Sequence, residues 1–155
     1  MARELRDEIK QGKPFDSLEQ EALLSIERTA ALLMHGFADS LKEYDITPTQ
    51  YNVLRILRGA GRAGLCRNEI RDRLVAQVPD VTRLLDRLEE SGLVERERGE
   101  QDRRLVTTRI TKAGLALLSR LDGPVAQSHR ERLGHLSAGQ LRTLIGLLAQ
   151  LREAP

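Results

Sequence analysis

The sequence predicts a mainly α-helical fold carrying one small β-hairpin, and three observations lead there. Leucine, isoleucine, valine and alanine recur at helical spacing through most of the 155 residues. Hydrophobic residues make up 40% of the chain but aromatics only 3%, with no Trp. The core is therefore aliphatic, which favours helix-on-helix packing over a β-sandwich. One charged stretch, Arg96 to Arg104, is flanked by Leu93-Val94 and Leu105-Val106, the pattern of two strands around a polar turn. The length fits one domain with its own core.

Residues 1–16 are polar, and Gly12-Lys13-Pro14 interrupts any helix there. Two readings stand for them: an arm with Leu5 and Ile9 packed on a neighbour, or a frayed terminus. From Ser17 to Tyr44 the pattern is one long helix, opened by a Ser17/Gln20 capping box. Leu23, Ile26, Ala30, Leu33, Phe37, Leu41 and Tyr44 mark its stripe. Leu24, Ala31, Leu32 and Met34 widen that stripe, so the helix needs partners on two sides. Thr47-Pro48-Thr49-Gln50 is a second capping box with proline at the first helical position. It opens a helix through Tyr51, Leu54 and Leu57 to about Ala60. Gly59, Gly61 and Gly64 end that helix, Leu65-Cys66 is a short strand placed to join the hairpin, and Cys66-Arg67-Asn68-Glu69 opens the next helix through Ile70 and Leu74.

Val75-Ala76-Gln77-Val78 then makes a turn, and Pro79 suits the first turn of the following helix. Val81, Leu84, Leu85 and Leu88 give that helix one buried stripe, and Gly92 suits the left-handed cap that ends it. Beyond the hairpin Thr111 caps a helix that carries Leu115, Leu118, Leu121 and Val125 toward Leu133. Gly123-Pro124 is expected to bend or break it. A box at Ser137 and Gln140 opens the last helix, whose stripe is Leu141, Leu144, Ile145, Leu148 and Leu151; a second copy of the chain is the candidate cover for that stripe. Two helices joined by a short turn and followed by a charged hairpin outline a winged helix-turn-helix. The second helix of such a unit reads the major groove, and the β-wing reaches the backbone or the minor groove.

Four stretches make the outline specific: Val81-Thr82-Arg83-Leu84-Leu85-Asp86-Arg87-Leu88-Glu89, Gly92-Leu93-Val94-Glu95-Arg96, Asp102-Arg103-Arg104 and Ile110-Thr111-Lys112-Ala113-Gly114. In this order and spacing they resemble the multiple-antibiotic-resistance regulator (MarR) family of bacterial transcription factors. The resemblance implies a single MarR-like domain over residues 1–155. Residues 47–111 would be the winged helix-turn-helix lobe, and 17–46 and 112–155 the dimerisation helices. It also implies a homodimeric repressor on an inverted repeat in double-stranded DNA, whose two reading heads change spacing when a small anionic or phenolic ligand binds. At Cys66 relatives usually carry Ser or Thr, the better caps.

The candidate DNA contacts are Gln77, Asp80, Thr82, Arg83 and Arg87 on the reading helix, with Asp102, Arg103 and Arg104 in the wing. Arg83 suits either a two-pronged bond to guanine or a phosphate. Asp80 suits either cytosine or the positive end of its own helix. Asp86 and Arg87 also suit pairing within the protein. By the resemblance Arg104 enters the minor groove, Asp102 pairs with an arginine to direct it, and Arg103 braces the wing. The same resemblance places a ligand near Met34, His35, Phe37, Ala38, Tyr51, Leu54 and Arg58. Among these, His35, Tyr51 and Arg58 are the ligand candidates, although His35, Phe37 and Tyr51 also read as plain structural residues. Cys66, at a helix N-terminus, is a candidate redox trigger or a small apolar filler.

Other classes find little support. His35, His129 and His135 lack the Cys/His spacing of a zinc site, so no metal and no cofactor are expected. No Gly-rich phosphate loop or nucleophile elbow occurs, which argues against an enzyme. No run of about 18 apolar residues is present. The charged opening MARELRDEIKQGKPF is unlike a secretory signal, and one cysteine suits a reducing compartment, so the expectation is a cytoplasmic protein without membrane contact. The net charge of +2 makes no case for nucleic acid by itself, so any positive field must come from arrangement on one face. A winged-helix module that binds protein instead of DNA is the alternative.

Overall fold

The computed structural model describes residues 4–100, 102 and 104–153. The chain falls into two compact units, residues 1–39 and 40–155. The first holds a single helical turn, α1 (Leu5–Glu8), and most of α2 (Leu18–Leu41), which runs on into the second unit. Ser17 Oγ accepts the Gln20 N–H at 3.1 Å. The returning bond differs from a standard box: Gln20 Oε1 takes the Asp16 N–H, at 2.7 Å. Leu18, Leu23, Leu32 and Met34 are exposed, and Leu41 is the buried residue of α2.

In the second unit a 3₁₀ turn, Lys42–Tyr44, finishes what the sequence reads as one helix, and left-handed Asp45 stops it. The next helix, α3 (Pro48–Ala60), carries both bonds of its Thr47/Gln50 box and buries Tyr51, Val53, Leu54 and Leu57. The short strand β1 (Leu65–Cys66) leads into α4 (Arg67–Arg73), followed by α5 (Val81–Glu90), β2 (Val94–Arg98) and β3 (Val106–Ile110). The strands form one antiparallel sheet in the order β1-β3-β2, so Leu65-Cys66 does join the hairpin. Thr108 pairs with Leu65 on one side and Arg96 on the other. The chain enters β1 through Gly64 at φ +67°, where a Cβ would lie 2.6 Å from the Thr108 carbonyl oxygen, so only glycine fits.

After the sheet, Thr111 caps α6 (Lys112–Leu133), its Oγ1 accepting the Gly114 N–H at 3.1 Å. Gly123-Pro124 does not break this helix, which runs through 22 residues with Pro124 inside. The reason is where the proline sits. Asp122, Gly123 and Pro124 are exposed, so water can take the Arg120 carbonyl that proline leaves unbonded. On the opposite face Leu121 and Val125 are buried and hold the rod together. The last helix, α7 (Ala138–Glu153), opens on the Ser137/Gln140 box and buries none of its residues.

Candidate nucleic-acid interface

Between α4 and α5 the chain turns through residues 74–80. Leu74 is extended, and the Val75 N–H donates to Asn52 Oδ1 of α3 at 3.0 Å, which pins the turn to the core. Asp80 is the N-cap of α5: its Oδ1 accepts the Arg83 N–H at 2.9 Å. That fixes the helix start at Val81, so Pro79 precedes the cap and does not lie within the first turn as its sequence position suggested. Val81, Leu85 and Leu88 are buried and Leu84 half-buried, leaving Thr82, Arg83 and Arg87 on the outer face, with exposed Gln77 just before them. Arg67, the first residue of α4, reaches across to donate to Thr82 Oγ1 at 3.3 Å. At the far end Gly92, φ +70°, closes α5: its N–H bonds the Glu89 carbonyl at 2.9 Å, and the Leu93 N–H bonds the Leu88 carbonyl at 3.0 Å.

The wing stands against this helix through Arg96. Its guanidinium spans Glu89 (Nε to Oε2, 2.9 Å) and Asp86 (Nη2 to Oδ1, 2.6 Å), while its backbone N–H donates to Glu89 Oε1 at 3.2 Å. The Arg96 hydrogen bond holds the Glu89 carboxyl below its usual pKa, and Glu89 in turn raises that of Arg96. Arg109 of β3 is engaged likewise, donating to Glu97 Oε2 at 2.7 Å and to the Arg62 carbonyl at 2.8 Å. Near the tip, Asp102 Oδ1 accepts the backbone N–H of Arg104 at 2.9 Å. The described Asp102 thus holds the main chain of Arg104. Arg103 lies outside the described residues. A hollow of about 360 Å³ opens between α4, α5 and the wing, lined by Arg67, Thr82, Arg96 and Arg104 among others.

A net charge of +2 can still give a basic face where acids beside the wing are tied up, although exposed Glu90, Glu95 and Glu100 enter no ion pair among the described residues. Asp86, Glu89 and Glu97 are bound to Arg96 and Arg109. Among the described residues Arg67, Arg83, Arg87 and Arg104 enter no ion pair and are exposed. Those acids are spent on structure, and arginines are left facing solvent beside them. Exposed guanidinium groups on a groove-sized helix and its flanking hairpin are what phosphate and guanine recognition require.

A family model described as the MarR family matches residues 46–106. The crystal structure of a MarR transcription factor from Planctomyces limnophilus is 42% identical, with a TM-score of 0.69, covering 88% of this chain and 99% of that one. The chain belongs to the MarR family. It is therefore a transcription regulator and not an enzyme. A mutant MarR from E. coli, solved in complex with operator DNA, is 29% identical with a TM-score of 0.75, covering 96% of this chain and 99% of that one. A Thauera aromatica protein described as a transcriptional regulatory protein for the hcr operon is 28% identical over 106 residues, 68% of this chain. That match spans 63% of the relative's own length.

The ligand candidates of this MarR chain do not gather into a site that one unit displays. Tyr51 and Leu54 are core residues of α3. Arg58 is locked to Asp122 of α6 by two bonds of 3.0 Å, which raise the arginine's pKa and lower the carboxyl's. In the other unit His35 is exposed and lies 3.4 Å from Asp39, one helical turn along. Cys66 is half-buried at the α4 N-cap, its backbone N–H held by Glu69 at 2.8 Å. Among the described residues no group of three His, Cys, Asp or Glu is placed to hold a metal, and no helix is long and apolar enough to cross a membrane. Sequence reading missed Arg67, Arg96 and Asn52 as parts of the interface. The signal for Arg96 was present in the stretch Gly92 to Arg96, but its partners lie on another element.

Proposed function

We propose that the chain is a homodimeric repressor that reads an inverted repeat in double-stranded DNA and is released by a small anionic or phenolic ligand. Residues 47–111 form the DNA-binding lobe, and residues 17–46 and 112–155 the dimerisation helices. Arg83, Thr82 and Arg87 meet base edges and phosphates in the major groove, with Gln77 and Asp80 at the entry of the helix. Arg104 enters the minor groove, aided by Asp102 and Arg103. The observation that carries this reading is the segregation of charge: arginines without carboxylate partners on α5 and in the wing, beside the engaged acids Asp86, Glu89 and Glu97. The operator complex of the E. coli relative supports it. The exposed apolar residues of α2 and α7 support the dimer, whose two heads would meet DNA about one turn, or 34 Å, apart.

The test is fluorescence anisotropy on DNA from upstream of the protein's own gene, across a salt series, beside a scrambled duplex. A clear preference, with affinity falling steeply as salt rises, is expected. Equal weak binding to this duplex and to those returned by a genome-wide selection would leave only a protein-binding module. Once an operator is in hand, salicylate-like phenolic acids are titrated against the complex. Release by one of them at concentrations that leave the fold intact is the expected outcome.

A further inference from the structure

Every hydrogen bond and ion pair that joins β2 to α5 among the described residues passes through Arg96. The topology gives this weight. β3 is the central strand, and its Thr107 and Thr108 are fixed by β1 on one side. β2 is an edge strand, and a two-stranded ribbon on its own is marginal in water. Beyond the Arg96–Thr108 pair the ribbon has two further rungs, Glu97–Thr107 and Arg98–Val106, before the tip that carries Arg104. Arg96 therefore stands at the base of a short lever with Arg104 near its far end. Both side chains border the same hollow. Asp86 and Glu89 lie three residues apart on one face of α5, a spacing that a planar guanidinium fork spans and a lysine ammonium does not. The Arg96 side chain is also mostly covered, 23% exposed, so its bonds are less diluted by water than those of a surface pair.

We propose that Arg96 is a positioning residue for DNA recognition: by fastening the edge strand β2 to the reading helix it sets where Arg104 stands in relation to Arg83 and Arg87. This rests on the DNA-binding reading above. Arg96 itself touches no base or phosphate; its contribution passes through Arg104. The clamp makes wing and helix one rigid reader, so the minor-groove arginine arrives in register with the major-groove ones and no ordering of the wing is left for the moment of binding.

A double-mutant cycle tests it in the full-length chain, on the duplex that the wild type prefers. Arg104→Ala is expected to weaken binding roughly ten-fold, and Arg96→Gln by a similar factor. The pair together should bind no worse than either alone, and each variant should lower the salt slope by about one per protomer. Asp86→Asn combined with Glu89→Gln breaks the clamp from the other side with Arg96 in place, and should give the same pattern if Arg96→Gln folds poorly. A merely structural Arg96 predicts otherwise: Arg104→Ala would still cost its full factor in the Arg96→Gln background, and that result overturns the proposal while sequence-selective binding stands. A DNA-free readout separates the two ideas further. Spin labels at Glu90→Cys and Arg98→Cys, in a Cys66→Ser background, should give a narrow distance distribution that broadens in Arg96→Gln. A distribution that stays narrow overturns the clamp whatever the DNA result. Equal binding of operator and scrambled DNA by the wild type overturns the functional reading, and the positioning role with it.

Discussion

Helices α5 and α7 carry the same message in sequence and meet different fates. Each has leucines at the spacing of one apolar stripe. In α5 that stripe is sealed inside the protomer, with Leu88 fully buried. In α7 it lies open: Ile145 is 64% and Leu151 54% exposed, and no residue of the helix is buried. Periodicity announces that a face will be covered; it does not say by what. The difference lies in what packs on each helix: β2, reached through the turn at Gly92, is fastened back onto α5 by Arg96, whereas no residue of α7 is buried by the described protomer.

The contrast between the two leucine-rich stripes is largest under mutation. Leu88→Ala removes packing at a site with no exposure and should lower the unfolding free energy by about 2–5 kcal/mol in urea denaturation. That loss should be the same at every protein concentration. Ile145→Lys should instead leave the helical content intact and turn a dimer into a monomer in sedimentation. The wild-type melting temperature should rise with protein concentration, and the Ile145→Lys one should not. If Ile145→Lys remains a dimer, the α7 stripe is not the dimer seam.

Within α5 itself the buried and exposed faces separate stability from recognition. Arg104→Ala, in the wing beside the helix, should lower DNA affinity by roughly 1–3 kcal/mol across operator sequences and leave the melting temperature unchanged. Asp80→Ala removes the helix cap and should cost about 1 kcal/mol of stability. Asp80→Ser, which still caps, should restore the stability. Should Asp80→Ser also restore DNA affinity, the carboxylate acts only on its own helix; a lasting loss of affinity would place it against a base.

Local rules made much of this legible. The boxes at Thr47 and Ser137, the cap at Thr111 and the turn at Gly92 each depend on residues within a few positions of one another, and each stands where its chemistry places it. What stayed hidden depends on distant partners. Asp86 was open to pairing within the protein, and it does pair, but with Arg96, ten residues on and on a strand that its own helix does not announce. For Arg58, offered as a ligand contact, the sequence held no sign of the two-bond pairing with Asp122, 64 residues away. Pro124 read as a bend or a break because the rule for proline is local; the helix is not broken, and buried residues on the other side of α6 hold it across the proline. The same limit hid Arg67, whose bond to Thr82 crosses from one helix to the next.

The smallest effect concerns acid. Arg96 holds the Glu89 carboxyl below its usual value near 4.5, and Arg58 does the same to Asp122 relative to 3.8. A carboxyl whose pKa is lower in the folded chain than in the unfolded one contributes stability that is fully present above its unfolded value. That contribution is lost as pH falls through the folded value, because the unfolded chain takes up the proton first. Stability should therefore be insensitive to these pairs between about pH 6 and 8, and should decline as pH falls below about 4.5. Glu89→Gln should flatten that decline, measured as the urea midpoint at stepped pH, and Asp122→Asn should flatten it separately because the two pairs share no residue. Both carboxylates are well exposed, so each change is small. DNA tells the two pairs apart: Glu89→Gln should also weaken operator binding at neutral pH, since it loosens the wing from α5. Asp122→Asn, which touches only the α3–α6 pair, should leave binding as it was.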